Sequence, residues 1–285
     1  MTLKIVTDST SYISEELKKK YDISVVSLSV IFGNEELKEI NIENETFYKK
    51  LDENMNIPTS SQPSLDDMYN VLEKQVIDNN QVVGVFLSSE MSGTYSNACL
   101  AKSMILEKYP NALIEIIDSR SNCMQLGFAV LTAAKAAQKE KSIDEVVALV
   151  KENIKRSRFL FIPKTLEYLK KGGRIGGASA MLGTIFQIKP ILTVIDGKTE
   201  LFHKVRTKKR AIQTMVNKFI EDTEKNGLGE VMIHHINDIE GALTFAKTIE
   251  ECTGKKIEIA PIGPVIGTHV GPGTLGIVYY TQRDL

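Results

Sequence analysis

The chain of 285 residues has no tryptophan, only three cysteines and four histidines, and almost no net charge. Each scarcity excludes something. Cys99, Cys123 and Cys252 stand far apart with no C-x-x-C pair, which argues against a disulfide framework and a zinc knuckle and fits a reducing compartment. With 35 Lys and Arg against 36 Asp and Glu, no global field draws the molecule to nucleic acid or to an anionic membrane. No apolar run reaches membrane-spanning length, and MTLKIVTDST has neither the charged nor the apolar region of a secretion signal. The expectation is a soluble, cytoplasmic protein that binds no nucleic acid.

Catalytic motifs are missing too. There is no G-x-S-x-G elbow and no H-E-x-x-H, and His234 and His235, adjacent in a strand-like run, must point to opposite faces, so they cannot chelate one metal together. KKGGRIGGA (170–178) lacks the G-K-[ST] ending of a phosphate loop. A literal G-x-G-x-x-G occurs at Gly271, Gly273 and Gly276, yet Pro272 sits inside it and the strand-like IVYYTQ follows where a helix is needed. Neither a metal nor a cofactor is expected.

What is present is an alternation of β-branched runs and amphipathic segments. LKIVTD (3–8), ISVVSLSV (23–30), VVGVFLS (82–88) and ALIEIID (112–118) read as strands with helices between several of them, which predicts an α/β chain built on a parallel sheet. Ser64 with Asp67 and Ser142 with Glu145 mark helix starts in capping-box spacing. The texture changes after residue 157: RFLFIP, a glycine-rich segment, an Asp196-Gly197 hairpin between two strand-like runs, then helices at 210–224 and 240–251 around the strand GEVMIHHI, and last the glycine-rich stretch from Gly263, read as turning backbone and strands. This predicts an α/β domain over 1–157 and a second, α+β domain over 158–285.

Ligands of open α/β sheets bind beyond the carboxyl ends of the strands, and here those ends carry small hydroxyls. The loop Ser88–Thr94 runs into a helical pattern, so Ser92, Gly93 and Thr94 lie at a helix N-terminus suited to an anion. PTSSQPS (58–64) offers Thr59, Ser60 and Ser61 ahead of another helix start. Taken singly, each loop reads better as a cap; taken together, they suggest a clamp on one carboxylate or phosphate. The basic run Lys204, Arg206, Lys208, Lys209 and Arg210 lacks interleaved aromatics and reads as a docking face for an acidic or phosphate-bearing partner.

TDST, SSQPS, LSSEMSGTY, DSR, FIPKTLEYLKKGGRIGG and GPVIGTHVGPGTLGI, in this order over nearly the whole chain, resemble the DegV family of bacterial fatty-acid-binding proteins. The resemblance implies a long-chain fatty acid held between two domains and presented to a separate fatty acid kinase, which makes an acyl phosphate for phospholipid synthesis. It implies that Ser92, Gly93, His269 and Ser60 hold the carboxylate. Ser60 stands where the family has threonine, so Thr59 or Ser61 could share its role; Thr94 and Thr268 are supporting candidates, and Arg174 is placed near the opening. Kinase docking near Lys204 to Arg210 and transient membrane contact complete this carrier reading. The alternative is a serine hydrolase or an acyl or phosphotransferase using Ser92 and His269.

Overall fold

The computed structural model describes residues 2–54, 57–183 and 188–285. From the N-terminus run β1 (Leu3–Asp8), α1 (Glu15–Lys20), β2 (Ile23–Val26), β3 (Ser29–Phe32), β4 (Glu35–Lys38), α2 (Asn44–Glu53) and β5 (Thr59–Ser61). Then come α3 (Leu65–Ile77), β6 (Gln81–Phe86), α4 (Thr94–Lys108), β7 (Ile114–Asp118), α5 (Cys123–Gln138) and α6 (Ile143–Lys155). The remainder is β8 (Ser157–Ile162), α7 (Glu167–Lys171), β9 (Lys189–Ile195), β10 (Lys198–Val205), α8 (Lys208–Asn226), β11 (Leu228–His235), α9 (Ile239–Thr253), β12 (Glu258–Pro261), α10 (Pro264–Val270) and β13 (Leu275–Thr281).

These elements form five layers. A four-stranded parallel sheet, β2-β1-β6-β7, carries α3 and α4 on one face and α5 and α6 on the other. α5 also packs on β8 and β13 of a six-stranded mixed sheet, β10-β9-β8-β13-β11-β12, whose far face is covered by α8 and α9. A helix wedged between two sheets has no solvent face, and α5 is accordingly apolar nearly all round, with 12 of its 16 residues buried. Strand alternation does the same work on β8: Phe159 and Phe161 face the central core that α5 shares, while Leu160 and Ile162 face the core under α8 and α9.

Both expected helix starts are present. The Ser64 hydroxyl accepts the Asp67 N–H, and Ser142 with Glu145 forms a full capping box. Asp196 and Gly197 both have positive φ (49° and 81°), the primed hairpin turn that joins β9 to β10.

Two sequence expectations need correction. The run 23–30 is two strands in two sheets, because at Ser27 and Leu28 side chains replace the ladder: Leu28 N–H donates to Ser9 Oγ, and Ile40 N–H to Ser27 Oγ. β3 then pairs with β4 and β5 in a separate three-stranded antiparallel sheet. The glycine-rich segment from Gly263, read as strand and turn backbone, instead folds into α10, which begins with Pro264 at its first turn and stops at Gly271. Gly271 has φ +85°, and a Cβ there would lie 2.3 Å from the Tyr168 ring, so both conformation and space demand glycine.

Candidate functional site

Where β1 and β6 end, Asp8 ties the chain together. Its carboxyl accepts from the Thr10 N–H and hydroxyl and from the Leu87 N–H, all inside the protein, and burial raises its pKa. The TDST loop thus braces the sheet edge and contributes no residue to the cavity that lies beyond it. Beyond this edge, between the carboxyl ends of the parallel strands and the β8 face, lies a cavity of about 300 Å³. Its walls are mainly apolar, among them Leu28, Phe159, Phe161, Leu169, Ile266 and Val270.

Polar groups enter it from three directions. β5 pairs with β3 (Ser60 opposite Val30), which turns Ser60 towards α10, and the Ser60 Oγ lies 2.7 Å from His269 Nε2. The neighbouring Ser61 also borders the cavity, but its hydroxyl donates to Glu36 (3.2 Å). From the second direction come Ser92 and Gly93, immediately before α4. Ser92 Oγ lies 2.9 Å from Thr94 Oγ1 and accepts the Thr94 N–H (3.3 Å). The two hydroxyl loops touch: Gln62 lies so close to Gly93 that a Cβ there would fall 1.9 Å from its Oε1, and Asn97 donates to the Pro63 carbonyl (2.9 Å). From the third, Arg174 is exposed at the rim and donates to the carbonyls of Met91 (3.0 Å) and Gly172 (2.6 Å), bridging the Ser92 loop to the end of α7.

The electrostatics of His269 follow from this placement. Burial, and then the Arg174 charge, lower its pKa to about 4, so the ring is neutral at physiological pH. Its Nδ1 is buried with no hydrogen-bond partner, pressed against Gly172, where a Cβ would come within 2.2 Å. An orphaned N–H is costlier than an orphaned lone pair, so the favoured tautomer carries its proton on Nε2 and donates it to Ser60. The Ser60 hydroxyl proton is thereby released for an acceptor in the cavity. An anion entering this corner meets donors, and no carboxylate is among the described residues that line the cavity.

The described residues hold no group of three His, Cys, Asp or Glu able to bind a metal ion, and no helix long and apolar enough to cross a membrane. Of the residues singled out from sequence, Ser60, Ser61, Ser92, Gly93, Arg174 and His269 line one cavity. Thr59, Thr94 and Thr268 fall outside it: Thr59 is exposed, Thr94 is buried behind Ser92, and the Thr268 hydroxyl donates to the Pro264 carbonyl one turn back (2.9 Å). Ser92 pairs with Thr94 and not with His269, which corrects the idea of a Ser92–His269 pair. The basic run lies elsewhere. Lys204 is five residues along β10 from Thr199, a lining residue, hence about 17 Å away at strand rise.

The DegV family profile matches residues 2–282. The chain belongs to the DegV family. A DegV domain-containing protein of Clostridium acetobutylicum is 54% identical over 285 residues, the whole of both chains. Among solved structures, a DegV family protein of Thermus thermophilus, described as fatty-acid-binding, is similar at TM-score 0.90 and 28% identity over 99% of this chain and 100% of that one. A stearic-acid-binding protein of Eubacterium ventriosum is similar at TM-score 0.90 and 27% identity over 98% of each.

Sequence reasoning passed over several lining residues of this DegV chain. Asn122 is the main one: it is buried, its Oδ1 has no partner, and its amide nitrogen meets only the Met91 sulfur. It follows the DSRS loop directly, so carrying the strand-end rule four residues past β7 would have found it. Phe159 and Phe161 were visible as one face of a strand, but nothing local says what that face meets.

Proposed function

We propose that this DegV protein carries a long-chain fatty acid, its chain in the apolar cavity and its carboxylate at the Ser60–His269 corner with Ser92 and Gly93 alongside. The observation that carries the reading is a corner where Ser60 and a neutral His269 can offer donors, in a cavity whose walls are mainly apolar, in a family whose solved relatives include fatty-acid-binding proteins. Each buried CH₂ contributes about 0.8 kcal/mol, so a long chain gains roughly ten kcal/mol before the costs of association.

The corner also suits onward chemistry. Arg174 already spends two donors on backbone carbonyls, and hydroxyls with a neutral imidazole hold a carboxylate without the bidentate grip that would blunt it as a nucleophile. In this reading a separate fatty acid kinase brings ATP to the rim, the carboxylate oxygen attacks the γ-phosphorus, and acyl phosphate and ADP result. Docking over Lys204, Arg206, Lys209 and Arg210 requires a partner large enough to reach from that face to the cavity; Lys208 is paired with Asp238 (2.6 Å).

The rival reading is hydrolysis, favoured only by the Ser60–His269 contact. His269 Nδ1 has no orienting acceptor, the element that a serine–histidine pair needs to hold its base. One experiment separates the two. Protein purified from cells is denatured and extracted, and the extract is analysed by mass spectrometry for fatty acid. A stoichiometric fatty acid, and acyl phosphate formed only when kinase and ATP are added, are expected. Lipid-free protein that hydrolyses an acyl ester unaided would sink the carrier reading.

A further inference from the structure

The helix that carries His269 is seated by side chains from the first forty-eight residues of the chain. Glu39, in the 3-10 turn that follows β4, is 7% exposed. Its Oε1 accepts from the Val265 N–H (2.9 Å) and the Tyr12 hydroxyl (3.0 Å), and its Oε2 from the Ser9 hydroxyl. Tyr12 Oη accepts the Ile266 N–H (3.3 Å), and Tyr48 donates to the Ile262 carbonyl (3.1 Å). Two glycines leave no slack: a Cβ on Gly263 would lie 2.8 Å from Glu39 Oε1, and one on Gly267 2.2 Å from Tyr48 Oη. Val265, held by Glu39, and His269 are one turn apart on the same face of α10.

Every hydrogen-bond partner of the Glu39 carboxyl among the described residues is a donor. Ser9 Oγ already accepts from Leu28 N–H (3.1 Å) and Tyr12 from Ile266, so the proton of each is free to point at Glu39. The ionised carboxyl accepts all three bonds, whereas the protonated form brings an O–H of its own and must displace one.

We propose that Glu39 is a positioning residue for the carboxylate corner: it seats α10, and through it His269 against Ser60, fully only when it is ionised. The part of this that concerns ligand affinity rests on the fatty-acid reading; the seating itself does not. Burial raises the Glu39 pKa to about 7, so the seat changes within the physiological range. The ionisable groups facing it are Asp8, whose charge raises its pKa further, and Tyr12, Tyr48 and Cys123, all pushed above their ordinary values by burial and neutral at pH 7. Glu15, Lys18 and Glu43 line the groove outside it.

The test measures the affinity of a fluorescent long-chain fatty acid from pH 6 to pH 8 for the intact wild-type protein, Glu39→Gln and Tyr12→Phe. The wild type is expected to bind roughly tenfold more weakly at pH 6 than at pH 8, the scale of one hydrogen bond to a charged group. Glu39→Gln should bind at the weaker level throughout, with no dependence on pH in this window. Tyr12→Phe, having lost a donor to the carboxylate, should move the midpoint upward. In the ligand-free protein the His269 ring resonances, identified by their loss in His269→Ala, should shift between pH 6 and pH 8 in the wild type and not in Glu39→Gln. Wild-type affinity and slope in Glu39→Gln, tighter binding in that variant, or a His269 signal indifferent to Glu39 would overturn the proposal. A His269 signal that follows Glu39 in a protein that takes up no fatty acid would keep the seating and remove the fatty-acid reading instead.

Discussion

Burial lowers the pKa of both His234 and His269 to about 4, with the Arg174 charge adding to it at His269, yet the two are partnered differently. His234, on β11, is fully buried with both ring nitrogens engaged: Nδ1 lies 2.9 Å from the Ala260 carbonyl, and Nε2 accepts the Met124 N–H at the start of α5 (3.2 Å). Its ring stands edge-on to Tyr12 and Phe159. It joins β11, β12 and α5, and nothing remains for a ligand. His269 has one nitrogen on Ser60, the other on nothing, and a cavity in front of it. Burial alone therefore does not single out a candidate ligand-binding histidine; an incomplete set of partners beside a cavity does.

The comparison can be broken in four ways. The largest effect is expected from His234→Ala, which orphans a buried N–H and a buried carbonyl and leaves a hole between two aromatic rings. Stability should drop by about 3 kcal/mol in urea unfolding, with a smaller loss of fatty-acid affinity in the folded fraction, passed on through Tyr12 and Phe159. His269→Ala should do the reverse, changing stability by less than about 1 kcal/mol while weakening fatty-acid binding by roughly thirtyfold, about 2 kcal/mol. If both variants lost stability equally, the distinction would collapse.

Acid tests the feature the two share. A histidine whose pKa is about 4 when folded and 6.5 when unfolded contributes stability that is complete above 6.5 and is lost as the pH falls through 4. Glu39 runs the other way. Raised to about 7, its contribution is present below its unfolded value of 4.5 and is lost as the pH rises through 7. The histidine part is thus best read as a difference between proteins. His269→Asn should lose less stability than the wild type between pH 6.5 and pH 4, and superimposable acid limbs would show that His269 is not held neutral. The smallest effect is expected from Gly172→Ala. Its φ of −74° accepts alanine without strain, but the new methyl meets His269 Nδ1. Affinity should fall several-fold and stability by about 1 kcal/mol as the ring is displaced; unaltered binding would mean that the ring has room to move and is not held where Ser60 needs it.

Much of this was legible in residue order. β-Branched runs with helical segments between them announced the parallel sheet, the Ser64 and Ser142 caps marked their helices, and Asp196-Gly197 marked its hairpin, because each depends on neighbours within a few positions. Hydroxyls at strand ends, read with the family resemblance, picked out Ser60, Ser92 and His269. The stretch 23–30 was misread because what splits it, Ser9 and the turn at residue 40, lies outside it in sequence.

Only the tertiary structure decided which hydroxyl meets the histidine, which pairs with a neighbour instead, and that a glutamate in the charged-looking stretch EELKEI is buried under the helix that bears His269. The reason is distance along the chain. Caps and turns are set by contacts three or four residues apart, whereas Ser60 and His269 are separated by 209 residues and Glu39 and Val265 by 226. Contacts of that kind exist only once two sheets have closed on α5, so sequence by itself could name the chemistry of the corner and not its assembly.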